Sequence, residues 1–145
     1  MESVHEAWRP VPHNHDYEVS NCGSVRSLER VITRPNRWGG TTSVTWPAKL
    51  LRTTIHQGYR QLKLGGKTVY RVHQLVAWAW IGPQPVGTVV NHIDGNKLNN
   101  TPANLEYITN PENVKHAYRT GLLSNKGVTN GRSLARRAAM ELSQT

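Results

Sequence analysis

The sequence predicts an α+β fold in three parts: a small N-terminal antiparallel β-sheet module, a core of two short strands and a helix, and a short C-terminal helix. Three observations predict it. Short strand pairs meet across glycine-bearing turns within residues 17–71, and an apolar run with helical spacing follows at 72–81. A strand, a loop, a second strand and a helix start then succeed one another between residues 88 and 116.

In chain order, Tyr17-Glu18-Val19 and Ser24-Val25-Arg26-Ser27-Leu28 flank Asn21-Cys22-Gly23, a turn with hairpin chemistry. Residues Ile32 to Pro47 show no clear period and read as a long loop. Its Trp38 and Trp46 are expected to pack against the sheet, with stacking on nucleotides as the other use. A second hairpin joins Gly58–Leu64 to Lys67–Arg71 across Gly65-Gly66. There Arg60 shares a face with Leu62 and Leu64, while Tyr59, Gln61 and Lys63 share the other. That polar and aromatic face suits the major groove of DNA, and its ordinary alternative is a solvated strand face.

The helix at 72–81 owes its apolar stripe to Leu75, Val76 and Ala79, with Trp78 and Trp80 expected in the core and His73 as a packed structural histidine. Thr88-Val89-Val90 begins the first core strand and Leu105–Thr109 forms the second. Asn110-Pro111-Glu112 starts the helix, since proline and an acid suit a first turn. Beyond it, residues 125–132 read as a linker, and Ser133–Leu142 as a basic helix capped by Ser133.

A chain of 145 residues buries a modest core, as one compact unit or as two small modules sharing the 72–81 helix. It carries 18 Lys and Arg against 9 Asp and Glu, a net charge of +9, which points to a polyanionic partner. The excess concentrates ahead of the 88–116 stretch: residues 24–72 hold ten basic side chains and one acid, Glu29. A single cysteine, Cys22, excludes an internal disulfide and fits a reducing cytosol. No apolar run approaches the roughly 20 residues a membrane span needs, and the amino terminus shows no signal-peptide core. There is no internal repeat and no Cys/His zinc spacing.

The stretch Val90-Asn91-His92-Ile93-Asp94-Gly95-Asn96, followed by Asn104-Leu105-Glu106 and Glu112-Asn113-Val114-Lys115-His116, carries the chemistry. Phosphodiester hydrolysis needs a base near neutral pH and a cation to take up negative charge. Histidine suits the first task with an ordinary pKa of about 6.5. A hard divalent ion suits the second and selects oxygen ligands, amide carbonyls included. Neighbouring strand side chains point to opposite faces, so Asn91 and His92 share a site only if the strand ends or bends there, as the Asp94-Gly95 turn allows.

Two strands and a helix marked by His92, Asn104 and Asn113 resemble the HNH nucleases, whose site is called the ββα-metal fold. The wider run from Val72-His73-Gln74-Leu75 through Asn91-His92-Ile93-Asp94-Gly95-Asn96-Lys97 to Glu112-Asn113 and His116-Ala117 is similar to the phage-type, often intron-encoded, HNH homing endonucleases. Trp8-Arg9-Pro10-Val11-Pro12, Tyr17–Asn21 and Gly23–Leu28 resemble the small module that precedes the nuclease in those enzymes. Residues 1–71 then read as an N-terminal β-rich DNA-binding module, 72–122 as the nuclease core and 123–145 as linker and C-terminal helix.

The resemblance implies His92 as general base, Asn91 and Asn113 as ligands of one divalent ion, Mg2+ or Mn2+, and Asn104 as the residue that keeps the histidine aimed. The reading is a site-recognising endonuclease on double-stranded DNA in the cytoplasm of a phage-infected bacterium; as a monomer its one active site gives a nick, and a double-strand break requires dimerisation or sequential cuts. Many relatives carry aspartate where this chain has Asn91, so a weak hold on the cation is expected until DNA phosphate completes its shell. The expected DNA contacts are Arg26, Arg52, Arg60, Lys63, Lys67, Arg71, Lys97 and His116. His116 lies three residues after Asn113 on nearly the same helix face, and a plain surface histidine is its alternative. Asp94 reads as a turn former with metal ligand as its alternative, Asn96, Asn99 and Asn100 as loop residues with phosphate contact as theirs, and His13-Asn14-His15 as coincidence. The rival functions are a noncatalytic DNA-binding protein that retains the fold and a nonspecific nuclease.

Overall fold

A computed structural model describes residues 5–123, so the linker and basic helix expected over 125–142 lie outside the described residues. Strands β1 (Trp8–Val11), β2 (Asn14–Ser20) and β3 (Val25–Ser27) form an antiparallel meander. β4 (Arg30–Pro35) and β5 (Thr41–Trp46) form a separate two-stranded ribbon, after which β6 (Lys49–Leu50) returns to pair with β3. β7 (Thr54–His56), β8 (Tyr59–Leu64) and β9 (Thr68–Arg71) make a three-stranded sheet. Helix α1 (Val72–Trp80) leads to β10 (Thr88–His92), which pairs antiparallel with β11 (Leu105–Thr109) before helix α2 (Asn110–Arg119).

One hydrophobic cluster joins these pieces, and α1 is its centre. Val72, Leu75, Val76 and Ala77 are fully buried against Val11, Tyr17, Val19 and Val25 of the first sheet, Leu62 and Leu64 of β8, and Leu105 of β11. Each such aliphatic side chain contributes about 1.5–3 kcal/mol by leaving water, so a nine-residue helix too short to stand alone is held by its neighbours. Polar contacts fix the register: the Tyr17 hydroxyl accepts from Gly65 N at 3.0 Å and Trp80 Nε1 donates to Val19 O at 3.2 Å. Arg9 lies over the Trp80 ring at 4.3 Å. The N-terminal sheet and the strand-and-helix core therefore share one interior. Among the described residues no helix is long and apolar enough to cross a membrane.

Both expected hairpins form, with Tyr17 opposite Ser27 and Leu64 opposite Thr68. The stretch read as a loop, Ile32 to Pro47, is instead the β4–β5 ribbon. Its turn is closed by Asn36, whose Oδ1 accepts from Trp38 N at 3.0 Å and Gly40 N at 2.9 Å. The ribbon escaped notice because every residue of β5 is exposed, so neither face carries the apolar alternation that marks a half-buried strand. The tryptophans depart from expectation as well. Trp38 stands 78% exposed beneath Arg37, whereas Trp46 borders a cavity with Tyr17, Ser27 and Leu51 and has Arg30 and Arg34 near its ring. Trp78 and Trp80 pack only partly against the core.

His73 is buried on α1, as its position in the helical run implied, and its ring lies 5.1 Å from that of Tyr59 and 5.0 Å from that of His92. Burial, followed by the nearby charges of His92 and Arg71, pushes its pKa down to about 3. The unfolded chain takes up this proton near pH 6.5, so the stability is complete above that pH and declines as the pH falls towards the folded value. The expected loss is about 2 kcal/mol by pH 5, from 1.36 kcal/mol per unit. Urea unfolding at pH 7 and pH 5 measures it, and His73→Gln is expected to flatten the slope.

Candidate active site

β10 ends in Asn91 and His92, both 6% exposed, and both line one cleft of about 250 Å³ together with Asn113 and His116 of α2. Strand alternation would separate them, but the chain turns immediately afterwards: Gly95 has φ +74° and its N–H donates to His92 O at 3.0 Å. The turn that the Asp94-Gly95 pair allowed follows directly on His92, at the end of the strand where both side chains border the cleft.

The His92 ring borders this cleft while its far edge is tied down. Nε2 lies 2.9 Å from Asn100 Oδ1, an acceptor, so the proton sits on Nε2 and the lone pair remains on Nδ1. Burial lowers the ring's pKa below the ordinary histidine value. The Asn100 bond and the Asp94 carboxylate oppose that shift, and the Lys97 charge adds to it. A neutral imidazole therefore prevails at physiological pH.

The loop behind His92 is a closed hydrogen-bond circuit. Asn104 Oδ1 accepts from Asp94 N at 3.0 Å, and its Nδ2 donates to Asp94 Oδ1 and Asn99 O, both at 2.9 Å. Asp94 also accepts from Asn96 N at 2.7 Å and from Asn99 Nδ2 at 2.8 Å, so its carboxylate is spent on the turn. Ile93 is held on both sides, its N–H donating to Asn104 O at 2.8 Å and its carbonyl lying 3.0 Å from His116 Nε2.

Asn113 enters from the first turn of α2, whose start is secured by Glu112: Oε2 accepts from Thr109 N at 3.0 Å and Thr109 Oγ1 at 2.8 Å. Across the hairpin Asn91 faces Glu106, and its Nδ2 donates to Glu106 Oε1 at 2.9 Å. Among the described residues no three His, Cys, Asp or Glu side chains gather as a metal cluster. The side-chain oxygens lining the cleft belong to the Asn91 and Asn113 carboxamides and the Tyr59 hydroxyl.

The candidate DNA contacts divide. Arg71 and Lys97 lie over the Tyr59 ring at 4.6 and 4.5 Å beside the cleft, and Lys97 Nζ also reaches Gln57 O at 3.4 Å. Arg52, Lys63 and Lys67 are exposed, and Arg60 is exposed with Nη1 donating to Thr53 Oγ1 at 3.3 Å. Arg26 is engaged within its own sheet, paired with Glu18 at 2.6 Å and stacked over Trp8 at 4.2 Å. Leu62 and Leu64 are buried, and the Tyr59 ring lies 5.1 Å from that of His73 and 6.2 Å from that of His92.

Sequence reasoning gave Glu106 no role, took Asn100 for a loop residue and set Tyr59 on the strand face suited to DNA. Asn100 was hidden among identical loop residues, whereas Glu106 was discoverable, because pairing Thr88–His92 antiparallel with Leu105–Thr109 puts it opposite Asn91. A further brace comes from the N-terminal module. Gly23 has φ +85°, and a Cβ there would sit 3.1 Å from Asn100 Cβ and 3.6 Å from Val72 Cγ1. Gly23→Ala is expected to cost about 1–2 kcal/mol from its left-handed backbone and to shift the His92 ring resonances. Urea unfolding and NMR read the two effects.

Comparison with known proteins places this geometry. The HNH endonuclease family matches residues 70–115 and the NUMOD4 motif matches residues 6–65. DNA endonuclease I-HmuI of Bacillus phage SP01 is 34% identical over 112 residues, spanning 74% of this chain and 55% of that protein. HNH endonuclease L245 of Acanthamoeba polyphaga mimivirus is 33% identical over 118 residues, or 79% of this chain and 31% of its own. A SPbeta prophage-derived protein of Bacillus subtilis, YosQ, named as an HNH homing endonuclease, is 51% identical over 69 residues, 48% of this chain and 39% of its own. The chain thus spans between a third and about half of these relatives' lengths. The solved structure of the HNH homing endonuclease I-HmuI, described as showing DNA binding and cleavage, superposes with a TM-score of 0.62 at 31% identity, covering 90% of this chain and 66% of that one. The matched spans hold His92, its loop and most of the hairpin-and-helix frame, and by them this chain carries an HNH endonuclease domain preceded by a NUMOD4 motif.

Proposed function

We propose that this chain is a DNA endonuclease of the homing type that hydrolyses phosphodiester bonds with His92 as general base. The observation that carries this reading is the setting of the His92 ring: Nε2 committed to Asn100, pKa held down by burial, and an edge open to the cleft. Such a ring takes a proton from a water poised in the cleft through Nδ1, and the Nε2–Asn100 bond steadies the imidazolium that results. Asn104 acts through the loop, since its three side-chain hydrogen bonds hold the turn from which His92 projects.

Asn91 and Asn113 are the residues that would hold one divalent cation, Mg2+ or Mn2+. The donor chemistry fits: both side chains line the cleft, and the Asn91 amide nitrogen is occupied by Glu106, which leaves a hard carbonyl oxygen for a ligand. When bound, such an ion supplies charge neutralisation at the phosphoryl oxygens and at the leaving oxygen. His116 braces Ile93 and borders the same cleft, within reach of a phosphate.

Double-stranded DNA is the proposed partner. Arg52, Arg60, Lys63, Lys67, Arg71 and Lys97 offer cationic contacts to its backbone, and Arg26 joins them only by giving up Glu18. A single cleft in a monomer makes one cut, so the product is a nick. The phage relatives support action in the cytoplasm of an infected bacterium.

His92→Ala is expected to lower the cleavage rate by about 10²–10⁴ while leaving duplex affinity intact. Plasmid nicking and gel mobility shift measure this, with open circles preceding any linear form. Binding without cleavage by the unaltered protein would replace the enzyme with a DNA-binding module. Replacing Lys63, Lys67 and Arg71 together by alanine is expected to lessen the slope of log affinity against log salt by up to about 3, near one unit for each phosphate no longer neutralised.

A further inference from the structure

The charges around the cleft pose a problem. Its two candidate metal-holding side chains, Asn91 and Asn113, are neutral, the only nearby acid on the loop, Asp94, is spent on three hydrogen bonds, and the lysine at its rim is positive. A neutral carbonyl oxygen holds a divalent cation less firmly than a carboxylate does. One carboxylate, however, lies directly behind Asn91: Glu106 is its cross-strand partner and accepts from its Nδ2 at 2.9 Å. Asn91 is buried and Glu106 half-buried, so little solvent screens the pair.

We infer that Glu106 is a positioning residue that orients the Asn91 carboxamide and raises the ligand strength of its oxygen towards a divalent cation. The inference rests on the reading of Asn91 as a metal-holding residue. Its first half is geometric. An ionised carboxylate only accepts, so the amide group facing it is the NH2 and the oxygen is the atom left for the cleft. Its second half is electronic. An amide has a resonance form with positive nitrogen and negative oxygen, and a carboxylate hydrogen-bonded at nitrogen stabilises that form. Charge carried by Glu106 is thereby relayed to Asn91 Oδ1, as outer carboxylates raise the basicity of histidine ligands in metal sites. The hairpin register is what makes the relay possible, because a one-residue slip would turn Glu106 to the opposite face.

The test uses the full chain and Mn2+ alone, with free ion followed by electron paramagnetic resonance. Glu106→Gln keeps an acceptor of the same shape and removes only the charge, so its affinity for Mn2+ is expected to fall about tenfold, the lower end of the loss seen for outer-shell partners. The exchanged pair Asn91→Asp with Glu106→Gln moves the charge to the inner position with the hydrogen bond reversed, and is expected to restore affinity to at least the starting level. Failure of the exchanged pair to restore affinity shows that the loss was not one of charge and overturns the inference. An affinity of Glu106→Gln within twofold of the unaltered protein overturns the inference and leaves Asn91 as a ligand. Equal affinity of the unaltered protein and Asn91→Ala overturns the metal reading and the inference with it.

Discussion

The hydrogen bond between His92 Nε2 and Asn100 Oδ1 is the interaction on which the rest of the site depends. Without an acceptor at that edge, the imidazole is free to rotate and to place its proton on either nitrogen. With it, one nitrogen is a donor by necessity and the other keeps its lone pair. Much of the surrounding structure serves to keep Asn100 where it is. Gly23 packs against it from the first sheet, and Asn104, Asp94 and Asn99 close the loop on which it rides. Burial contributes the other half, because a desolvated ring resists the proton it would otherwise hold in mild acid.

This arrangement explains why the two modules share an interior. Helix α1 buries one side against the N-terminal sheet and presents His73 to the His92 ring, so the same nine residues serve both parts. A nuclease hairpin of two five-residue strands has little core of its own and borrows rigidity from the sheet beside it. Holding the His92 ring in place is then a requirement on packing far from the cleft.

Electrostatics divide the molecule in a consistent way. The described acids near the cleft are engaged: Asp94 with its loop, Glu112 with the helix start and Glu106 with Asn91. The cations are left outward, except where aromatic rings collect them, as Tyr59 does for Arg71 and Lys97 and Trp46 for Arg30 and Arg34. Arginine stacked on an aromatic ring keeps most of its donors free. The β4–β5 ribbon, exposed along β5, extends that cationic surface beyond the core.

Local chemistry was legible in the residues themselves. Turn formers at Asn21-Cys22-Gly23 and Gly65-Gly66 announced their hairpins, the apolar spacing announced α1, and proline with Glu112 announced α2, because these signals act over a few neighbouring residues. His92, Asn91 and Asn113 stood out for the same reason, as a pattern along the chain. What lay beyond that reading was every decision made between residues distant in sequence. The β4–β5 ribbon had no buried face to betray it, Trp38 found no sheet to cover it, and Tyr59 came to lie beside two histidines. By itself, then, the sequence marked two hairpins, both helices and the candidate site side chains. The tertiary structure alone decided that Asn100 sets the tautomer and that Glu106 backs Asn91, since hydrogen bonding and desolvation depend on which groups are brought within 3 Å in a shared interior.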